Sequence, residues 1–101
     1  MLYLMYWELN ENISEQERLE FSQKITSSGK FPPEGVNIVR WDITPDSWGT
    51  LLFEAENPID AFKAIGIWRT KAGFFKTVKT SPVMPVQEVM PQMAEFIKTL
   101  T

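Results

Sequence analysis

The sequence contains no histidine and no cysteine. Without histidine there is no Ser-His-Asp or Cys-His triad and no imidazole ligand for haem, zinc or iron. Without cysteine there are no disulfides, thiolate nucleophiles or sulfur-held metals, which fits a reducing, cytoplasmic compartment. Any acid–base step is left to Asp, Glu, Lys or Tyr. There is no basic surplus either, since the formal net charge is −3. No apolar run approaches the roughly 18 residues of a membrane span. The apolar start, Met1 to Trp7, has no basic leader or small-residue cleavage site and reads as a strand. No cofactor and no metal are expected: Asp42, Asp46, Glu54 and Glu56 form no ligand pattern.

What is present is aromatic. Seven Phe, four Trp and two Tyr stand among 101 residues that are 44% hydrophobic and 23% charged. Aromatic side chains bury large areas. The length suits one globular domain, 1–101, divided into a core at 1–83 and a helical tail at 84–101. A chain this short buries only about two-thirds of its unfolded surface, so a partner subunit adds useful stability.

Leu2 to Glu8 reads as a first strand, ended by Asn10 and Asn12. Ser14 with Glu17 has the form of a capping box, which predicts a helix to about Ser27 with Phe21 and Ile25 inward, Leu19 outward and Gly29 at its end. Phe31 to Gly35 predicts a stiff loop, and Val36 to Ile43 a second strand. A turn on Pro45-Asp46 leads to a third strand, Trp48 to Glu56. Asn57 as N-cap and Pro58 at the first helical position begin a second helix, closed by Gly73, with Ala61, Phe62, Ile65 and Trp68 on one side. Phe74 to Ser81 is a fourth strand. In the tail, Val86, Val89, Met90, Met93, Phe96, Ile97 and Leu100 keep the helical period, with regular helix expected from about Pro91. The order predicts an α+β fold: a ferredoxin-like βαββαβ antiparallel sheet with two helices on one face, plus a C-terminal helix.

A two- or four-residue hairpin loop at Pro45-Asp46 pairs Ile43 with Trp48, Trp41 with Thr50, Val39 with Leu52 and Asn37 with Glu54. One face then carries Val36, Ile38, Leu51, Phe53 and Ala55, with Arg40 near one end, and meets the helices. The other carries Trp41 and Trp48 among Val39, Ile43 and Leu52, and is mostly apolar too. An odd loop or a bulge inverts these faces. An uncovered second face exceeds what a monomer usually exposes, so a second copy is expected to cover it, sheet on sheet, with the chain's own tail helix as the alternative cover.

Several stretches together resemble a known pattern: Leu2-Tyr3 with Trp7, Pro32-Pro33-Glu34-Gly35-Val36, Arg40-Trp41, Glu54-Ala55-Glu56-Asn57-Pro58 and Thr80-Ser81-Pro82-Val83. The pattern is that of a family of short bacterial proteins of unknown function within the dimeric α/β-barrel superfamily. The resemblance runs over roughly residues 2 to 84, and the tail with Pro91 departs from it. It implies a homodimeric α/β barrel with a cleft between sheet and helices or between sheets. It brings no catalytic residue.

The candidate ligand-binding residues are Asn37, Trp41, Trp48, Thr50 and Glu54. The two tryptophans would wall a flat ligand, or else pack in a core or interface. Glu54, in an apolar cavity, would have a raised pKa and serve as a base; on a strand end it is an ordinary carboxylate. Lys63, Arg69, Lys71, Lys76 and Lys79 form a basic segment interleaved with Trp68, Phe74 and Phe75. The acidic whole and the lack of a Gly-rich phosphate loop argue against nucleic acid. The leading expectation is a homodimer that binds a small apolar or aromatic ligand, with no identifiable catalytic apparatus. The alternatives are a cofactor-independent monooxygenase- or isomerase-like enzyme using Glu54 with Tyr6 or Tyr3, and a regulatory or interaction module using the basic segment 63–79.

Overall fold

The computed structural model describes residues 1–100. The elements are β1 (Leu2–Leu9), α1 (Glu15–Ser27), β2 (Val36–Ile43), β3 (Trp48–Ala55), α2 (Pro58–Gly66), β4 (Phe75–Pro82) and α3 (Val86–Lys98). The four strands form one antiparallel sheet in the order β2-β3-β1-β4. With α1 and α2 as the connections, this is the ferredoxin-like arrangement.

Local chemistry accounts for the ends of α1. The Ser14 hydroxyl accepts a hydrogen bond from the Glu17 amide at 3.2 Å, satisfying one of the first-turn donors. Gly29, just beyond the helix, sits at φ +73°, where a side chain would be strained. Ile25 is buried, Phe21 packs against the core, and Leu19 faces water. Pro58 opens α2 as expected, but the Asn57 side chain makes no capping bond. The helix stops at Gly66 and continues as a 3-10 turn over Ile67–Thr70 instead of reaching Gly73. Its inward residues are Ala61, Ala64 and Trp68, at the spacing of one helix face. Phe62 lies about 100° round from Ala61 and is exposed, contrary to the expected inward side.

The core lies between these helices and one sheet face, around Met5, Leu51 and Phe53. Tyr3 stacks on Phe53 at 5.4 Å between ring centres. The pairs Tyr3–Phe53, Met5–Leu51 and Trp7–Gly49 settle which side of β1 turns inward. Val36, Leu51, Phe53 and Ala55 are buried there, as the alternation predicts, with Ile38 packed beside them.

The hairpin register differs from the even-loop expectation. Thr44 donates to the Trp48 carbonyl and Ile43 pairs with Gly49, so Pro45, Asp46 and Ser47 form a three-residue loop. Ser47 takes φ +62°, the left-handed last residue such loops use. It is held from two sides: Leu9 donates to its carbonyl at 2.9 Å, and the Arg18 guanidinium of α1 donates to its hydroxyl at 3.2 Å. The odd loop shifts the near half of β2 by one residue. A bulge between Ile38 and Arg40 shifts it back, so Asn37 still meets Glu54. Between loop and bulge every side chain is inverted. Trp41 and Ile43 turn to the helix side, while Arg40 and Asp42 turn to the open face and pair with each other at 2.6 Å.

The tail differs as well. Regular helix begins at Val86, not near Pro91, and runs through that proline. Pro91 lies on the polar side of α3, so the carbonyl left without a donor faces water. No residue of α3 is buried, and the helix has at most marginal contact with the remaining elements. Among the described residues it packs against no other element to any greater extent. The molecule is accordingly long, 57 × 29 × 20 Å with a radius of gyration of 16.7 Å, against about 13 Å for a compact chain of this length.

Candidate functional site

The inverted half of β2 places Trp41 in an aromatic assembly on the helix side. The Trp41 and Trp68 rings lie 5.7 Å apart at 71°. Phe31 stands edge-on to both, 5.3 Å from each. Phe74 stacks beside Trp68 at 6.0 Å, and Phe21 of α1 meets Phe74 at 4.7 Å. Offset and edge-to-face contacts of this kind are the favourable ones for aromatic quadrupoles.

Between this assembly, α1 and the sheet lies a cleft of about 100 Å³. Its floor is Met5, Trp7 and Leu51 of the sheet; its walls are Trp41, Trp68, Phe74 and Phe75; Ser22 and Thr26 of α1 close the top. Those two are its only polar side chains, and the Thr26 hydroxyl is already spent on the Ser22 carbonyl at 2.9 Å. No titratable side chain lines it. Such a cleft offers dispersion contacts and ring faces and nothing to transfer a proton. Its volume is somewhat below the roughly 150 Å³ of an apolar cavity that accepts benzene. Trp41, 42% exposed, forms its rim.

The other candidate residues lie elsewhere. Asn37, Trp48, Thr50 and Glu54 are on the open face. Trp41 and Trp48 are therefore on opposite sides of the sheet and form no common wall, because the odd loop separates them. Glu54 stands at the end of β3, half exposed, with its carboxylate 3.4 Å from the Met1 ammonium. Of the two readings, this is the strand-end carboxylate and not the one in an apolar cavity. Tyr3 is buried on the helix side, opposite Tyr6 and Glu54, so the three proposed acid–base groups do not converge. The basic segment is also divided. Lys79 is on the open face beside Tyr6, while Lys71 pairs with Glu17 of α1 at 3.7 Å. Among the described residues, no cluster of acidic side chains is placed to hold a metal ion.

On the open face, the Tyr6 hydroxyl donates to the Glu8 carboxylate at 2.7 Å, and its ring lies 5.8 Å from Trp48. The hydrogen bond first, then desolvation and the negative charge of Glu8, raise the Tyr6 pKa above 10.0. A raised pKa favours the neutral phenol, so less tyrosinate is available to act as a base near neutral pH than from a free tyrosine. The contribution of this bond to stability is complete below pH 10 and disappears as pH rises through the folded-state pKa. Ultraviolet titration should show Tyr6 ionising above the ordinary tyrosine range, and Glu8→Gln should lower that midpoint. An unchanged midpoint would mean that the bond is not formed.

Trp68, the centre of the cleft, was legible only as one member of the apolar side of α2. The sequence grouped it with Ala61, Phe62 and Ile65; the buried set is Ala61, Ala64 and Trp68. Trp7, Phe74 and Phe75 carried no local signal, since only the fold brings them together.

Residues 1–97 match the family model described as a domain of unknown function (DUF3303), and the chain belongs to that family. No curated protein matches it.

Proposed function

We propose that this member of the family is a homodimeric binding protein without catalytic apparatus, and that its aromatic cleft takes an uncharged, ring-sized apolar or aromatic molecule. The cleft carries this reading. It brings three tryptophans, two phenylalanines and the apolar side chains of Met5, Leu9 and Leu51 around one space with no ionisable group. Ligand sites are mostly apolar with few polar groups, and this one lies at the extreme of that range. The homodimer is supported by the open sheet face, where Leu2, Leu4, Tyr6, Trp48 and Leu52 form an apolar strip that no helix among the described residues packs across. The enzyme alternative lacks a base at the cleft, and nothing in the geometry favours it over binding.

The test is titration with toluene, followed through tryptophan emission, with benzoate as the charged counterpart. Saturable change with toluene and at least tenfold weaker response to benzoate are expected, because burying the carboxylate here finds no partner. Trp41→Ala removes one wall and should weaken the toluene response at least fivefold. No saturable response up to the solubility limit would overturn the cleft as a binding site.

A further inference from the structure

The chain leaves two apolar surfaces without a partner. One is the strip on the open sheet face. The other is α3, whose Val86, Met90, Met93, Phe96 and Ile97, with Leu100 just beyond, are all exposed. These residues fall within about 120° of the helix circumference, with Glu88 and Glu95 opposite.

We infer that α3 of each chain docks on the open sheet face of a second copy, so that two chains exchange tails. This rests on the homodimer reading above and says what covers the face. Four observations support it. First, the surfaces match in length. The strip from Leu2 to Glu8 spans about 20 Å at strand rise, and the 13 residues of α3 span about 20 Å at helical rise. Second, α3 needs a partner. A helix this short, interrupted by Pro91, is marginal in water without tertiary packing. Third, its own sheet face is hard to reach. Only Val83, Met84 and Pro85 separate β4 from α3, and Pro82 and Pro85 stiffen both ends of that connection. Short stiff connections favour exchange between copies over folding back. Fourth, the area suffices. Six half-exposed to two-thirds-exposed side chains present roughly 500 Å² per tail. Two tails on two faces bury about 2,000 Å², at the upper end of the standard stable interface. The exchange is isologous and closes at two chains.

A lipid surface is the less suitable occupant. The polar side of α3 carries Glu88 and Glu95 against the single Lys98, whereas interfacial helices carry Lys and Arg there.

The absence of native cysteine makes the test direct. Met93 is central in α3, and Leu52 is central on the open face, opposite Leu4. The double variant Met93→Cys with Leu52→Cys, oxidised at micromolar concentration, should run as a covalent dimer on a non-reducing gel. Met93→Glu in the full chain should raise the dimer dissociation constant at least 100-fold while leaving the circular dichroism of the core unchanged. If the double variant oxidises within one chain, the exchange is wrong. If instead Leu52→Cys alone cross-links as well as the double variant, the sheets face each other directly and the exchange is wrong. Cross-linking of Met93→Cys to Phe62→Cys in preference to Leu52→Cys would place α3 on α2 and overturn the assigned face. A wild-type chain that stays dimeric with none of these cross-links refutes the exchange alone, whereas a monomeric wild type refutes the homodimer as well.

Discussion

Replacing Trp68 with alanine should cost about 3–5 kcal/mol of folding stability, the range for removing a buried aromatic side chain. Trp68 is 5% exposed and touches rings from four other segments: Phe21 of α1, Phe31 of the following loop, Trp41 of β2 and Phe74 before β4. Removing the indole therefore opens a void bounded by rigid rings that cannot collapse together without moving α1 away from the sheet. Small domains have about 5–15 kcal/mol in total, so the variant should be close to its threshold. Trp41→Ala is the internal comparison. With 42% of its surface already in water, Trp41 should cost only about 1–2 kcal/mol. Urea unfolding of both variants measures the difference. A loss below about 1 kcal/mol at Trp68 would mean that the aromatic assembly is not packed as described.

Gly49→Ala should be nearly as damaging, for a different reason. An added Cβ would overlap the Asp42 carbonyl oxygen of the neighbouring strand and press into the Trp7 indole. The first obstacle is backbone and cannot rotate away. The second is a ring fixed in the cleft floor. Gly49 has no left-handed φ, so close approach rather than conformational freedom demands glycine here. A cost of about 2–4 kcal/mol is expected, toward or beyond the upper end for overpacking. Toluene binding should weaken in the same variant, because Trp7 has to shift. Unchanged stability would show that β2 and β3 are further apart at this point than the pairing of Ile43 with Gly49 requires.

These two positions also show how far the sequence could be read. The element order, the Ser14 cap, Pro58 at the start of α2 and the inward set Val36, Leu51, Phe53 and Ala55 follow from propensity and alternation, which are local. The face of Trp41 does not. It depends on whether the hairpin loop has an odd number of residues, and that depends on Arg18 and Leu9, far away in sequence, holding Ser47 in a left-handed conformation. The compensating bulge at Val39 leaves no mark in a run of β-prone residues. Consequently the expected wall of Trp41 and Trp48 was divided between two faces, and the open face became more polar through Arg40 and Asp42. The cleft itself was illegible for the same reason: its members come from β1, α1, β2, β3, α2's 3-10 extension and β4, and no spacing links them.

The tail carries the same lesson at larger scale. Its apolar period was plain, but period says only that a helix has a face to bury, not where. In its own chain α3 has at most marginal contact with the other elements, so its apolar face is left for assembly to cover. Light scattering of the full chain at micromolar concentration tests it most directly. A mass of about twice the 11.7 kDa chain is predicted; a clean single-chain mass across that range would contradict it.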